Sequence, residues 1–467
     1  MIVMKFGGTS LGNAKRIKDV AKIVGSYYKK HGDEAIVVSA MSTVTDLLIK
    51  CANLAEERNR KELDKHFLLI QNLHKKTVLD LSLKPDREKN LLQIIHSLTN
   101  NLKKLLESIM TLGDVSKRTL DLVSSYGERI SIHLVSYALE NFGLKAQALE
   151  SSNFILTNDN FGDADPLLDQ SRNKLKPNIK KLLNKKTIPV ITGFIGATRD
   201  GDITTLGRGG SDFSATIVGY CLDAHEVWIW TDVDGVMTAD PRIIKDAKTI
   251  KSISYNEAAE LSYFGAKVLH PRTIIPAALK KIPVRIKNTF NPDFPGTLIT
   301  NKLNGNGRGV KAITTIKDLA LVTLQGNGMI GVPGTAAKVF TALAEENINV
   351  IFISQASSEH NISFVVKKQD GERAKKVLTE AFQLELLNKR IEKIFIEDDV
   401  AILAVVGEGM KGKPGTAGKT FSALGDKKVN IIAIAQGSSE LNISIVLNES
   451  DLIKAVRSIH RAFQLGD

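Results

Sequence analysis

The sequence predicts an α/β chain in which a mainly parallel sheet flanked by helices precedes two C-terminal ferredoxin-like βαββαβ units. Three observations predict it. Apolar strand-like runs at 2–6, 35–39, 188–192, 226–230 and 283–287 alternate with helical stretches, as in βαβ units. The polar, Gly/Asn-rich stretch "NKLNGNGRG" near 300–310 reads as a linker. Beyond it the chain repeats itself. The expected organisation is therefore a catalytic-type domain over 1–303, a first small region over 304–395 and a second over 396–467.

Alternation of this kind indicates an α/β domain with a largely parallel sheet. Between about 60 and 140 the pattern is helical and highly charged, an insertion or helical flank. The opening "MIVMKFGGTS" has an apolar run that glycine ends after Phe6, too short for a signal peptide. No apolar stretch reaches 18 residues, so no membrane span is expected. Cys51 and Cys221 are the only cysteines, which argues against a disulfide framework and for the reducing cytoplasm. The net charge of +12 and pI near 9.3 come from lysines spread in mixed clusters such as "LNKRIEKIFIEDD". With no basic tail or RNA-binding signature, this reads as a lysine-rich surface that suits an anionic small substrate, and no nucleic-acid partner is expected.

The internal repeat aligns without a gap. "GNGMIGVPGTAAKVFTALAEENINVIFISQASSEHNISFVV" begins at Gly326 and "GEGMKGKPGTAGKTFSALGDKKVNIIAIAQGSSELNISIVL" at Gly407. Met329 matches Met410, Gly334 matches Gly415, Gln355 matches Gln436 and Asn361 matches Asn442. Each copy reads as strand, glycine-rich loop, amphipathic helix, strand, turn, strand and a further helix. Both contain G-x-G-x-x-G, but no acidic residue closes the second strand, so the dinucleotide reading fails. "GEGMKGKP" nearly spells a P-loop, yet Pro414 stands where a hydroxyl must reach magnesium. The loops serve either as close strand-to-helix turns or as backbone cradles for a small carboxylate, and their duplication with a shared Gln favours ligand binding.

Four segments of the first domain carry chemistry. "VMKFGGTS" ends a strand with Lys5 and continues into Gly7 and Gly8, where bare backbone can approach a phosphate. "VVSAMSTVTDLL" ends a strand with Ser39 and opens a helix near Thr45, and "SYGERIS" places Glu128 on a helix. "LGRGGSDFSA", at 206–215, is a glycine-rich helix entrance that also carries Asp212. A site for phosphate alone has no use for that carboxylate; a ligand with one anionic and one cationic end does. "WTDVDGVMTADPR" and "YFGAKVLHPR" follow.

In this order the segments resemble the aspartokinases of the amino-acid-kinase superfamily with tandem ACT regulatory domains, over essentially the whole chain. "QASSEHNISF" and "AIAQGSSELNIS" are most similar to the kinase module of threonine-sensitive aspartokinase–homoserine dehydrogenases, and the chain ends at "AFQLGD", about where a dehydrogenase would begin. It thus reads as a monofunctional relative or an isolated module. The resemblance implies an amino-acid-kinase fold and transfer of the ATP γ-phosphoryl group, with Mg2+, to the side-chain carboxylate of L-aspartate. It opens lysine, threonine and methionine biosynthesis. It implies that Lys5 with Gly7 and Gly8 holds the transferring phosphate. Arg208, helped by Gly209, Gly210 and Ser211, takes a carboxylate of aspartate. Glu128 and Asp212 take its ammonium, while Ser39 and Thr45 supply hydroxyls. Thr231, Asp232, Met237, Arg242 and Lys267 fall to the nucleotide side, and Met329, Gly334, Gln355 and Gln436 to an amino-acid effector, threonine before lysine. No protein ligand to the metal is assigned, and a homodimer or tetramer through the ACT domains is expected. Met237 stands where the family has tyrosine and Asp46 where it tends to have asparagine. Other amino-acid kinases, or a catalytically weak amino-acid sensor, are the alternatives.

Overall fold

The computed structural model describes residues 1–265, 269–301 and 309–466. The chain divides into two compact units, the first made of Met1–Val236, Lys251–Ala258 and the described residues from 269 to 301.

An eight-stranded sheet forms the first unit, in the order Ala146–Leu149, Ile188–Thr192, Glu34–Val38, Ile2–Phe6, Glu226–Thr231, Val284–Asn288, Thr297–Ile299, Ser252–Ile253. The first six strands are mutually parallel, and Thr297–Ile299 runs antiparallel to Val284–Asn288. All five expected runs are strands, displaced by at most a residue. "IVMKF" and "IPVIT" are buried at every position because helices cover both faces. The charged stretch becomes three helices, Arg60–Asp80, Pro85–Leu112 and Lys117–Asn141. Their ends are written in the sequence: Asn59 accepts from the Glu62 amide, Pro85 opens the second helix, Gly113 ends it at φ 71°, and Ser116 accepts from the Thr119 amide. Leu91, Ile95, Leu102, Leu106 and Ile109 form the buried stripe of the longest helix.

Glu34 departs from this pattern. It opens a fully buried strand, both its carboxyl oxygens lack a hydrogen-bond partner, and burial pushes its pKa up to about 8. The unfolded chain ionises this group near 4.5. Between the two values the folded state holds the extra proton, so stability declines as pH rises and the loss is complete above about 8. Glu34→Gln is expected to leave the thermal midpoint nearly unchanged at pH 5 and to raise it by about 5 °C at pH 9. Calorimetry at the two pH values checks this; an equal effect at both would remove Glu34 as the cause.

The second unit comprises Met237–Ile250, residues 259 to 265, and the described chain from 309. Its six-stranded sheet has the order Phe352–Gln355, Asn361–Lys367, Ala312–Gln325, Lys393–Val406, Asn442–Asn448, Ala433–Ala435, and every pairing is antiparallel. The two central strands are 14 residues long and serve both repeats. In the first repeat, 321–325 pairs with 393–397, its own closing strand. In the second, 402–406 pairs with 312–316, a strand that precedes the first repeat. Each repeat thereby completes a βαββαβ unit, and position 395/396 falls inside one continuous strand. The helices Thr335–Glu345 and Gly371–Ala381 pack on Val322 and Phe364; Thr416–Gly425 and Leu452–Ala462 pack on Leu403 and Ile445. Ala239 and Ile244 join the second of these cores, where the Thr238 hydroxyl lies 3.2 Å from His460 Nε2.

Candidate active site

The parallel strands Ile2–Phe6, Glu34–Val38 and Glu226–Thr231 end at one cleft of about 870 Å³. Clefts at the carboxyl edge of open parallel sheets are where such folds bind ligands. Lys5, Gly7, Gly8, Ser39, Thr45, Asp46, Glu128, Arg208, Gly209, Gly210, Ser211, Asp212, Thr231 and Asp232 all line it. Residues more than 200 positions apart thus converge because most follow, or lie near the end of, a strand or open a helix, while Glu128 comes from the middle of the helix Lys117–Asn141.

The turn before the helix Gly210–Leu222 owes its shape to Gly209. Its φ is 72°, a left-handed conformation, and a Cβ there would come 2.8 Å from the His270 Cβ. The first turn of that helix faces the cleft with its positive dipole end, which suits an anion; the Gly210 amide donates to the Gly207 carbonyl at 3.0 Å, and among the described residues the Ser211 and Asp212 amides have no backbone acceptor. Arg208, just before it, is exposed and forms no ion pair among the described residues. Thr43 and Phe194, also on the cleft wall, hold φ of 71° and 66°, strain of a kind that gathers at binding sites.

Asp212 lies in the first helical turn and pairs with Lys5 at 2.5 Å. Both side chains are largely buried, so neither charge stands alone. That contact gives Asp212 a partner other than a ligand ammonium. Glu128 is the open carboxyl group instead. Gly127, whose Cβ would meet the Ala40 Cβ at 2.6 Å, lets its helix approach the chain after Ser39 closely. The Ala40 amide donates to Glu128 Oε1 at 3.0 Å, while Oε2 is buried with no partner. Burial pushes the Glu128 pKa up to about 8, against the pull of the Ala40 amide and the Lys5 charge. An ammonium arriving at Oε2 would pair with the carboxylate and drive the proton off.

Met237 is outside the cleft lining and bridges Thr249, whose hydroxyl lies 3.4 Å from its sulfur; Arg242 is exposed and pairs with Asp240 at 2.6 Å. Lys267 lies outside the described residues. In the repeats Met329 is buried, Gly334 sits at φ 90° before its helix, and Gln355 and Gln436 are exposed at the ends of the two edge strands. The glycine loops match in detail: the Gly331 amide donates to Glu359 at 2.8 Å and the Gly412 amide to Glu440 at 2.7 Å. The cleft also contains Asp121, Ser124 and Gly162, which no motif marked; the spacing of seven between Asp121 and Glu128 was the available signal.

A parallel sheet with an anion-cradling helix entrance, a buried lysine and an opposed carboxyl group defines a phosphotransferase of the amino-acid-kinase type. The amino acid kinase family model matches residues 1–288 and an ACT domain model matches residues 322–382 and 403–463. The bifunctional aspartokinase/homoserine dehydrogenase 1 of Arabidopsis thaliana is 40% identical over 99% of this chain and 51% of its own length. Aspartokinase 1 of the same plant is 33% identical over 100% of this chain and 80% of its own. E. coli aspartokinase III in complex with aspartate and ADP matches at a TM-score of 0.82 with 30% identity, covering 99% of each chain. Its complex with lysine and aspartate matches at 0.81 and 30% identity, again over 99% of each. The chain belongs to the amino acid kinase family and, within it, to the aspartokinases, which are transferases with ACT regulatory domains. It spans about half the length of the bifunctional relatives it matches. Among the described residues no helix is long and apolar enough to cross a membrane.

Proposed function

We propose that the chain transfers the γ-phosphoryl group of ATP to the side-chain carboxylate of L-aspartate, giving 4-phospho-L-aspartate and ADP, the first step towards lysine, threonine and methionine. One observation carries the reading: a buried lysine, an exposed arginine at a helix entrance and a carboxyl group with one open oxygen face the same cleft. Arg208 forks onto the α-carboxylate with the Ser211 amide, and Glu128 takes the ammonium. Ser39 and Thr45 steady the side chain. Its carboxylate, already ionised at neutral pH, attacks the γ-phosphorus as the bond to the β-phosphate oxygen breaks. No general base is needed. Lys5, steered by Asp212, meets the charge that gathers on the transferring oxygens. Thr231 and Asp232 lie on the nucleotide side. Magnesium, when bound, would be held mainly by phosphate oxygens and water, as is usual for this ion; among the described residues no three His, Cys, Asp or Glu converge on one point.

Residues 1–303 form the catalytic domain and 304–395 and 396–467 the two ACT regions in this reading, with dimers or tetramers assembled through the latter. The two cysteines are free and buried, which favours a reducing compartment, the cytoplasm. ADP release measured with aspartate, glutamate and N-acetylglutamate tests the reaction: turnover with aspartate alone is expected, and preference for another acceptor rejects it. Threonine is the proposed effector, acting by population shift at the loops near Gln355 and Gln436. Changing both glutamines to alanine is expected to raise the half-inhibitory threonine concentration at least about tenfold. Inhibition by lysine alone would remove threonine from that role.

A further inference from the structure

Three segments of the cleft meet at one buried carboxylate, that of Asp121. It lies on the helix Lys117–Asn141, seven residues and two turns before Glu128, and is 3% exposed. Its Oδ2 accepts from the Thr205 amide at 2.8 Å and from the Gly162 amide at 2.9 Å. Its Oδ1 accepts from the Thr205 hydroxyl at 2.7 Å. Thr205 closes the short strand Ile203–Thr205, three residues before Arg208. Gly162 lies in a turn that returns to the same strand, since the Ala164 amide donates to the Thr205 carbonyl at 2.9 Å. Arg272 ties that turn down through Asp163 and Asp165.

Asp121 has no ion-pair partner among the described residues; the three groups that donate to it are neutral, two of them peptide amides. Burial pushes its pKa up and the three donors pull it down. A buried charge spent on backbone amides fixes geometry, because such bonds are short, strong and costly to leave unmade. The backbone it fixes leads straight into the Arg208 turn, and the helix it sits on carries Glu128.

We propose that Asp121 is a positioning residue for the amino-acid substrate: it sets the separation of Arg208 and Glu128, the groups that grip the two poles of aspartate. This rests on the function proposed above. A zwitterion held at both ends tolerates little error in the span between its grips, and a shift near 1 Å can cost about a hundredfold.

Steady-state kinetics with aspartate and ATP varied separately test it. Asp121→Ala is expected to raise KM for aspartate about ten- to a hundredfold, with KM for ATP changed by less than about threefold. Asp121→Asn retains an oxygen for the two amides and turns its NH2 towards the Thr205 hydroxyl, so it recovers most of the loss. Thr205→Val, which removes only the hydroxyl contact, gives a smaller rise of the same kind and serves if the alanine variant does not fold. In an Arg208→Ala background, Asp121→Ala adds less than about twofold, because the grip it positions is already gone. Unchanged KM with a lowered thermal midpoint, equal rises in both KM values, or costs that multiply with Arg208→Ala would each overturn the proposal. Absence of aspartate phosphorylation by the unaltered chain would instead strike the functional reading itself, and the positioning role with it.

Discussion

Arg208→Ala is expected to lower kcat/KM for aspartate by two to three orders of magnitude, mostly through KM, while KM for ATP moves by less than about threefold. The asymmetry follows from where the guanidinium stands. It is exposed at the cleft, free of ion pairs among the described residues, and adjoins the helix entrance at Gly210. Nothing in the resting protein has to be broken for it to fork onto a carboxylate, so its contribution goes almost wholly into binding. A charge-assisted bidentate contact of about 3–4 kcal/mol corresponds to that loss. Arg208→Lys keeps the charge but not the fork and is expected to recover only part. Because the side chain is exposed and pairs with none of the described residues, the thermal midpoint stays within about 1 °C. Coupled ADP-release kinetics with circular dichroism check both halves; near-normal turnover in the alanine variant would reject the substrate assignment.

Much of this geometry is legible in the sequence where the signal is local. Strands buried on both faces are mostly apolar, and "IVMKF" or "IPVIT" closed by a glycine admits little else. Ala146–Leu149 escaped notice because "AQAL" is an edge strand with every residue partly or fully exposed, so no apolar run marks it. Glycine turns and a lysine at a strand end advertise an anion site for the same local reason.

Pairings across the chain leave no such mark. The strand that closes the second repeat is 312–316, and only the register against 402–406 reveals it. A contiguous reading from 396 onward lacks that strand. Likewise the motif around Met237 and Arg242 reads as nucleotide-side, while Thr238, Ala239 and Ile244 find their partners in the second unit. Asp212 shows the limit most clearly. A carboxylate at a helix entrance asks for a cation, and the sequence offers a ligand ammonium; the fold also offers Lys5, 207 residues away in the chain. Asp121 was within reach of sequence reasoning through its spacing from Glu128, but its partners are backbone groups, which carry no residue code.

The Lys5–Asp212 pair makes the consequences of losing Lys5 distinct from those of losing Arg208. Lys5→Ala is expected to lower kcat about a thousandfold, in the range seen when a preorganised donor is removed from a developing charge. Two effects combine. The cation that meets the transferring phosphoryl group is gone, and the Asp212 carboxylate is left unpaired at 15% side-chain exposure in the same cleft. An uncompensated carboxylate beside a triphosphate repels it, and an unpaired buried charge also weakens the fold. KM for ATP should therefore rise and the thermal midpoint fall by a few degrees, neither of which Arg208→Ala does. Lys5→Ala with Asp212→Asn separates the two effects: removing the stranded charge is expected to restore the midpoint and about tenfold in kcat/KM for ATP, but not the phosphoryl-transfer rate. Stopped-flow single turnover reads that rate directly. A double variant no better than Lys5→Ala in affinity and stability would mean that Asp212 is neutralised by something other than the lysine. Turnover near that of the unaltered chain in either variant would mean that the phosphoryl group is held elsewhere.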